Sequence, residues 1–298
     1  MINILKKALN LILPSYIFSI IKAVLSSFST RKKKKRCNNK KCFIVMNGPS
    51  LLKDIDIIKK SAPEDIFVAN HFADSDFYEN IQPNYYILQD HYFWEEYVVD
   101  FYKKKRIKTF KNLEEKTNWP LVIFVPNMKA LKYLSNNIKN SNIKFEVYNA
   151  RFISNSKKNN NHLVESNKLL YFLWKLNLAA PPPTNVLVGA LYVSYLEGFS
   201  SINIFGADMS FFTDLVVDQD TNDVGMMITH FYSKEFLPLY KEKTWSIKSD
   251  LAYELERLSM ALTLFRTLND FFSRSQVSIF NSSENSFIDS FERKRLNL

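Results

Sequence analysis

The residues best suited to chemistry follow the first apolar run of the chain, where Asn47, Gly48, Pro49 and Ser50 come directly after residues 43–46. That run has the length and β-branched content of a strand, and helix-like spacing resumes just after it. Gly48 has no Cβ and lets the backbone approach a ligand, and Pro49 suits a first helical turn. Ser50 and the free N–H groups of the helix can receive an anion. The segment therefore predicts a nucleotide-binding turn of an α/β protein.

Polar side chains also follow the other predicted strands. Because ligands of open α/β sheets bind beyond the carboxyl ends of the strands, we expect these side chains to share one cleft. Their amides and carboxylates can recognise a base or a sugar by hydrogen bonding, although any one of them alone is more typical of a turn or a cap. The residues are Asn47, Asn70, Gln89, Asp90, Asn127, Asp208 and Asn281.

The elements that must position these residues alternate between strand and helix, which predicts an α/β fold with a doubly wound, mostly parallel sheet. Predicted strands cover residues 43–46, 66–69, 85–88, 121–125, 145–148, 201–205 and 277–280. Predicted helices cover residues 51–60, 95–105, 129–138, 184–197 and 251–269. Residues 214–225 read as a flexible acidic loop, and residues 149–183 give no clear pattern.

The N-terminus combines an amphipathic helix with a basic run. Apolar residues follow helical spacing over residues 2–25, and Pro14 and Lys22 divide them below the length that a bilayer needs. The chain carries a net charge of +10, and eight positive charges fall within residues 31–41. The pattern favours a helix lying on an anionic membrane surface; a helix packed on the domain and a true span stay open. The basic residues are Arg31, Lys32, Lys33, Lys34, Lys35 and Arg36.

Several classes of protein are disfavoured. The charge is local, so a nucleic-acid surface is poorly supported. The chain contains neither a Walker pattern nor Gly-x-Gly-x-x-Gly, which argues against an ATPase or a standard dinucleotide enzyme. Cys37 and Cys42 are the only cysteines, so neither a disulfide framework nor a structural zinc site is expected. His71 and His91 follow different strands, and we expect no metal and no cofactor.

The motifs resemble those of the bacterial sialyltransferases of glycosyltransferase family 42 and, more loosely, other sialyltransferase-like enzymes of surface polysaccharide synthesis. The resemblance covers residues 43–289 as short segments in order: 47–51, 68–72, 184–190, 202–210 and 279–282. Two departures bear on the sugar. Residues 209–212 read Met-Ser-Phe-Phe where the family has tyrosines, and residues 184–186 read Thr-Asn-Val where it has Thr-Ser-Gly.

The resemblance implies a Rossmann-like, GT-A-like domain over residues 42–298, with a lid around 211–245. The amphipathic helix and the basic run predict a membrane-associating segment over residues 1–41. It implies a metal-independent, inverting transfer of a sialic-acid-like or other sugar from a CMP-activated donor, with His230 as general base and Asp208 orienting the donor or the lid. Ser210 and Tyr232 are expected to bind phosphate. The expected donor nucleotide site consists of Asn47, Gly48, Pro49, Ser50, Asn70, Gln89, Thr184, Asn185, Gly206, Asn281 and Ser282.

The same resemblance implies a glycan or lipid-linked glycan acceptor for surface polysaccharide or lipooligosaccharide, at the cytoplasmic face of the bacterial inner membrane. A homo-oligomer stays open. Two other interpretations remain. A hydroxymethylpterin pyrophosphokinase-like enzyme would use ATP and Mg²⁺, with Asp90 and Asp208 as the candidate carboxylates. A non-catalytic membrane scaffold of a polysaccharide complex would bind no nucleotide.

Overall fold

A computed structural model describes residues 15–27, 36–37, 40–61, 65–153, 168–229, 234–241 and 247–296 of the chain. Its helices are α1 (Ser15–Ser27), α2 (Leu51–Ser61), α3 (Tyr78–Ile81), α4 (Asp100–Lys116), α5 (Met128–Asn137), α6 (Lys168–Lys175), α7 (Val186–Glu197) and α8 (Leu251–Arg274). Its strands are β1 (Lys40–Val45), β2 (Ile66–Ala69), β3 (Tyr85–Ile87), β4 (Leu121–Val125), β5 (Ile143–Val147), β6 (Phe199–Phe205), β7 (Leu215–Val217), β8 (Val224–Thr229), β9 (Lys234–Pro238), β10 (Ser278–Asn281) and β11 (Glu292–Arg293).

Eight strands form one sheet in the order β11-β10-β6-β1-β2-β3-β4-β5. All seven neighbouring pairs are parallel. The chain builds outward from β1 to β5 and then returns to the other side of β1 with β6, so the winding direction changes between β1 and β6. This arrangement confirms the predicted doubly wound α/β fold. The carboxyl ends of β1 and β6 meet at that change of direction, which is where such sheets bind ligands.

Helices cover both faces of this sheet, and the alternation of side chains along the strands divides the core in two. Phe43 and Val45 of β1 pack with helices α2, α4 and α5, whereas Ile44 packs with α6, α7 and α8. Because both faces are covered, the central strands are apolar at every position rather than at alternate ones. Helix α7 is buried along nearly its whole surface, which explains why its sequence shows no polar face.

A second sheet of three antiparallel strands, in the order β7-β8-β9, lies in the predicted lid region. The prediction of a loop over residues 214–225 was therefore wrong about conformation. Val216 pairs with Gly225, and the Asp218 carboxylate accepts hydrogen bonds from the backbone N–H groups of Asp220 and Thr221, which closes the hairpin turn. The acidic residues thus mark a turn between two strands.

The bounds of two helices differ from the prediction, and two elements were not predicted. The helix expected at 95–105 begins at Asp100 and runs to Lys116, because Val99 is extended, with φ −61° and ψ 152°. Helix α8 continues to Arg274, and helix α6 lies in a segment that showed no clear sequence pattern. The last predicted strand is followed by the short parallel strand β11 at the edge of the sheet.

Helix α1 packs on the domain by one face and exposes another apolar face. Ala23 is 3% exposed and belongs to the core beneath α7 and α8. Ile17, Ile21 and Leu25 are spaced by four residues and are 42%, 41% and 67% exposed, so they form one solvent-facing stripe. None of the helices in the described part of the chain is long and apolar enough to cross a membrane.

Candidate functional site

Two loops meet at the point where the winding direction of the sheet changes, and one carboxylate joins them. Asp208, after β6, accepts hydrogen bonds from the backbone N–H of Ser50 at 2.8 Å and from the Ser50 hydroxyl. The backbone N–H of Gly48 donates to the carbonyl of Gly206 at 2.7 Å. These bonds fix the turn at residues 47–50 against the loop at residues 206–208.

Both glycines of this junction are required by the close approach of the two backbones. A Cβ on Gly48 would lie 2.4 Å from the carbonyl oxygen of Gly206 and 2.6 Å from the Asp208 carboxyl carbon. Gly206 has φ +61°, and a Cβ there would lie 2.6 Å from the carbonyl oxygen of Met46. Gly48 was predicted to approach a ligand, and the group that it approaches in the structure is the neighbouring loop. The predicted place of Gly48 and Gly206 in the donor nucleotide site stays a prediction.

Asn47 and Asn70 follow the adjacent strands β1 and β2. The Asn47 amide donates to the carbonyl of Ala69 at 2.9 Å, and the Asn70 amide donates to the Asp90 carboxylate at 2.8 Å. Asn70 adopts a left-handed backbone, with φ +50°, a conformation that asparagine tolerates better than most residues. Its side-chain oxygen Oδ1 is buried and has no hydrogen-bond partner among the described residues.

The N-terminus of helix α7 reaches the same edge from the opposite side. The Asn185 side chain caps the helix by accepting from the Leu187 N–H at 2.8 Å. Gln89 follows β3, and its side-chain nitrogen donates to the carbonyl of Pro183 at 3.4 Å. Its side-chain oxygen accepts from the Tyr148 hydroxyl at 3.1 Å. Between these residues, the hydroxyl oxygen of Thr184 is buried without a hydrogen-bond partner in the described part of the chain.

A network of hydrogen bonds lies next to Asp90, and the sequence analysis did not predict it. The His71 ring contacts the hydroxyls of Tyr92 at 2.6 Å and Thr109 at 2.7 Å, and Thr109 donates to Asp74 at 3.0 Å. Burial by itself would raise the pKa of Asp74, but hydrogen bonds from His71, Asn112 and Thr109 lower it. The network fixes the segment after β2 against helix α4. Its only sequence signal was the position of His71 directly after Asn70.

Charged residues at the start of helix α8 lie close enough to helix α4 to act on Tyr102. Burial, together with the negative charges of Asp90 and Glu254, raises the pKa of Tyr102 to about 12, while Arg257 opposes that rise. Arg257 lies 3.4 Å from Glu254 on the first turns of α8. No sequence pattern singled out Tyr102, Glu254 or Arg257, because only the fold brings their elements together.

The remaining predicted residues have structural contacts. Both oxygens of Asp208 are bound by Ser50, so its observed role is to position the loop, and the predicted catalytic role stays a prediction.

The Asn281 amide donates to Ser286 and to the Ile288 carbonyl. The Ser282 hydroxyl donates to the Lys294 carbonyl. Pro49 precedes the first turn of α2 and Ser210 precedes a short 3₁₀ helix. Asn127 caps helix α5.

Some predicted residues lie outside the described part of the chain. They are His230, Tyr232 and the basic residues Arg31, Lys32, Lys33, Lys34 and Lys35. Arg36 is described, and its guanidinium contacts Glu146 and lies 3.5 Å from Glu197. Arg36 therefore contacts carboxylates of the domain, whereas the prediction placed it in a membrane-facing cluster.

No family model matches the chain, and no curated protein matches it. Among solved structures, the chain is similar to the MAf glycosyltransferase from Magnetospirillum magneticum AMB-1, with 13% sequence identity and a TM-score of 0.47. The similarity covers 94% of this chain and 38% of that protein. At this level the likeness concerns the overall arrangement of the backbone, so we base the function on the geometry of the site.

The junction gives a first prediction. Replacing Asp208 with Asn removes the negative charge that accepts two hydrogen bonds from Ser50, and hydrogen bonds to charged groups contribute more than neutral ones. We expect the Asp208→Asn variant to lose about 2–4 kcal/mol of unfolding free energy, measured by urea denaturation. Asp214→Asn is the matched control, because Asp214 is exposed and should change stability by less than about 0.5 kcal/mol. Equal stability of the two variants would contradict the role of Asp208 as the link between the loops.

Proposed function

We propose that the chain is a glycosyltransferase whose nucleotide-sugar donor lies across the carboxyl ends of β1, β2 and β3 and against the start of α7. The observation that carries the proposal is a pair of buried oxygens at this edge, Asn70 Oδ1 and Thr184 Oγ1, that have no hydrogen-bond partner among the described residues. A buried polar atom without a partner costs about 1–3 kcal/mol. A ligand that brings donors and acceptors to both atoms recovers that cost.

The chemistry of the edge fits the two halves of a nucleotide. Asn70 offers an acceptor suited to an exocyclic amino group or a ribose hydroxyl. Thr184 offers a hydroxyl at the N-terminus of α7, where the helix dipole and the free N–H groups favour a phosphate. The flanking Gln89 and Asn185 are already held by internal hydrogen bonds, so the site is ordered before the ligand arrives. Such preorganisation reduces the entropy lost on binding.

Within this proposal, the donor is CMP-activated, the transfer is inverting and independent of metal, and His230 is the general base. Histidine is the side chain whose charge ordinarily changes near neutral pH, which suits this residue type to the role of general base. It comes directly after β8 in the sequence, and this strand is the centre of the sheet formed by the lid region. Asp90 lies beside Asn70, where a carboxylate can accept from a donor hydroxyl.

We also propose that the acceptor is presented at a membrane surface. The stripe formed by Ile17, Ile21 and Leu25 is apolar and exposed, and five consecutive basic residues follow at 31–35. An apolar helix face beside a basic cluster is the pattern of a helix that lies in the interface of an anionic bilayer. The packing of Ala23 on the core means that such a helix would hold the domain close to the lipid.

A thermal-shift screen tests the nucleotide site. We expect CMP to raise the melting temperature without Mg²⁺, and more than UDP, GDP, CDP or ATP, because a ligand that binds the folded state stabilises it. Binding of ATP only with Mg²⁺ would favour the pyrophosphokinase interpretation, and binding of no nucleotide would favour the scaffold.

The Thr184→Val variant tests whether the nucleotide binds at the proposed site. Because the Thr184 hydroxyl has no partner in the part of the chain that the structure describes, its removal should leave the stability of the unliganded protein unchanged or slightly higher. The nucleotide, in contrast, should bind about tenfold more weakly, which is the equivalent of one hydrogen bond to a charged group. Unchanged nucleotide affinity, measured by calorimetry, would exclude Thr184 from the site.

The role of His230 is tested by kinetics. Loss of a general base lowers the chemical step by about 10²–10⁴-fold, so His230→Ala should lose sugar transfer while it retains the CMP-induced thermal shift. The shift serves as the control for folding and for the donor site. Transfer at the wild-type rate would end the assignment of His230.

Two substitutions on α1 test the membrane proposal. Leu25→Asp changes an exposed position, so it should leave stability within about 0.5 kcal/mol but reduce co-sedimentation with phosphatidylserine vesicles by about tenfold or more. Ala23→Asp is the contrasting variant, because a carboxylate at this buried position should cost about 3 kcal/mol or more. Wild-type vesicle binding by Leu25→Asp would show that this face of α1 does not contact lipid.

A further inference from the structure

A cleft of about 350 Å³ lies on the α2 side of the sheet, away from the start of α7. It is bounded by the first turn of α2, the loop after β10 and the residues after β11. Its walls carry four charged side chains, Lys53, Asp54, Glu284 and Arg295, and Phe205 and Leu296 add apolar surface. A volume of this size suits a small ligand. Ser282 also lines the cleft; it was predicted to belong to the donor nucleotide site, and the other lining residues were assigned no function above.

Asp54 is the unusual member of this cleft. It is 7% exposed, and its oxygen Oδ2 is buried with no hydrogen-bond partner among the described residues. Buried carboxylates are ordinarily paired with a cation or hydrogen-bonded. A buried carboxylate oxygen that lines a cleft and lacks such a partner indicates that a bound ligand supplies the partner.

The neighbouring charges do not supply that partner. Lys53 is 2.7 Å from Glu284 and is paired with it. Arg295 is exposed, and in the described part of the chain no carboxylate lies within 4.0 Å of its guanidinium to form an ion pair. Burial, followed by the negative charge of Glu284, raises the pKa of Asp54 to about 6; Asp208 adds to the rise, and Arg295 and Lys53 oppose it. Asp54 is therefore ionised but poorly compensated at neutral pH.

We propose that this cleft binds a small organic ammonium ion, with the ammonium group donating to Asp54 and Glu284 and the carbon chain lying against Phe205 and Leu296. A primary ammonium is a compact charge with three N–H donors, so it can bond to two carboxylates at once. None of Asn47, Asn70, Thr184 and Asn185 lines the cleft. The cleft and the proposed donor site lie against helices on opposite faces of the sheet. Binding there is independent of the nucleotide.

The experiment is a thermal-shift and calorimetric titration of the full chain at about pH 7.5 with putrescine and ethanolamine. Their neutral counterparts, 1,4-butanediol and ethylene glycol, are titrated in parallel, and so is tetramethylammonium, which carries the charge without an N–H donor. We expect the two amines to raise the melting temperature by about 2–5 °C at saturation and the other three compounds to have no effect. A response to tetramethylammonium equal to that of putrescine would reduce the effect to general ionic screening and overturn the proposal.

Two variants locate the site. Asp54→Asn should fold with at least the stability of the wild type at neutral pH, because it removes a poorly compensated buried charge, and it should lose amine binding by about tenfold or more. Asp56→Asn is the matched control, since it makes the same change at an exposed position on the same helix and should bind amines like the wild type. Equal behaviour of the two variants would overturn the proposal.

Two further results are decisive. Amine affinity should fall as the pH is lowered from about 7.5 to 5, because protonation of Asp54 near its pKa of about 6 removes the acceptor charge; a constant affinity would contradict the role of Asp54. If wild-type protein fails to bind amines and Arg295→Gln binds them, Arg295 itself occupies Asp54 in solution and the proposal fails. The nucleotide screen uses different ligands and different residues, so neither proposal depends on the result of the other.

Discussion

The Asp208 carboxylate holds together the part of the molecule on which the candidate site depends. It receives both the N–H and the hydroxyl of Ser50, and so joins the loop after β6 to the turn after β1. In doubly wound sheets the loops on either side of the change in winding direction part from each other and leave a crevice. Here the two loops are tied together on the α2 side. The buried oxygens of Asn70 and Thr184, which have no hydrogen-bond partner among the described residues, lie away from this link, after β2 and before α7.

The environment of these two oxygens is well bonded. Asn47 turns toward the Ala69 carbonyl, and Asn70 is held in a left-handed conformation with its amide directed at Asp90. Within the described residues, one oxygen of Asn70 has no hydrogen-bond partner, and neither has the hydroxyl of Thr184 before α7. Unpaired polar groups among well-bonded side chains are typical of a binding site that is built in advance of its ligand.

Charge is used differently around Asp90 and around Asp54. Around Asp90, the ring of His71 and the hydroxyls of Tyr92 and Thr109 form a continuous set of hydrogen bonds, so the polar groups there are stabilised and fixed in position. Around Asp54, the charges are close but incompletely paired. The first arrangement favours a rigid platform for a donor, and the second favours a separate site that accepts a cation.

The amino-acid sequence by itself determined seven of the eight strands of the main sheet and helices α2, α4, α5, α7 and α8. It also determined the change from apolar strand to polar strand end and the turn at residues 47–50. These features depend on local preferences of the backbone and on burial on both faces, which leave direct patterns in a sequence. Only the tertiary structure decided which polar side chains at the strand ends bond to neighbouring loops and which keep an oxygen without a partner among the described residues. Asn281, Ser282 and Asp208 lie at strand ends, just as Asn70 does. The Asp208 carboxylate bonds to Ser50, which is far away in the sequence. The side chains of Asn281 and Ser282 bond to the chain segment that follows them. The cleft at Asp54 likewise combines residues 53–54, 284 and 295, and no spacing along the chain predicts that convergence, because hydrogen bonding and burial depend on what the fold places nearby.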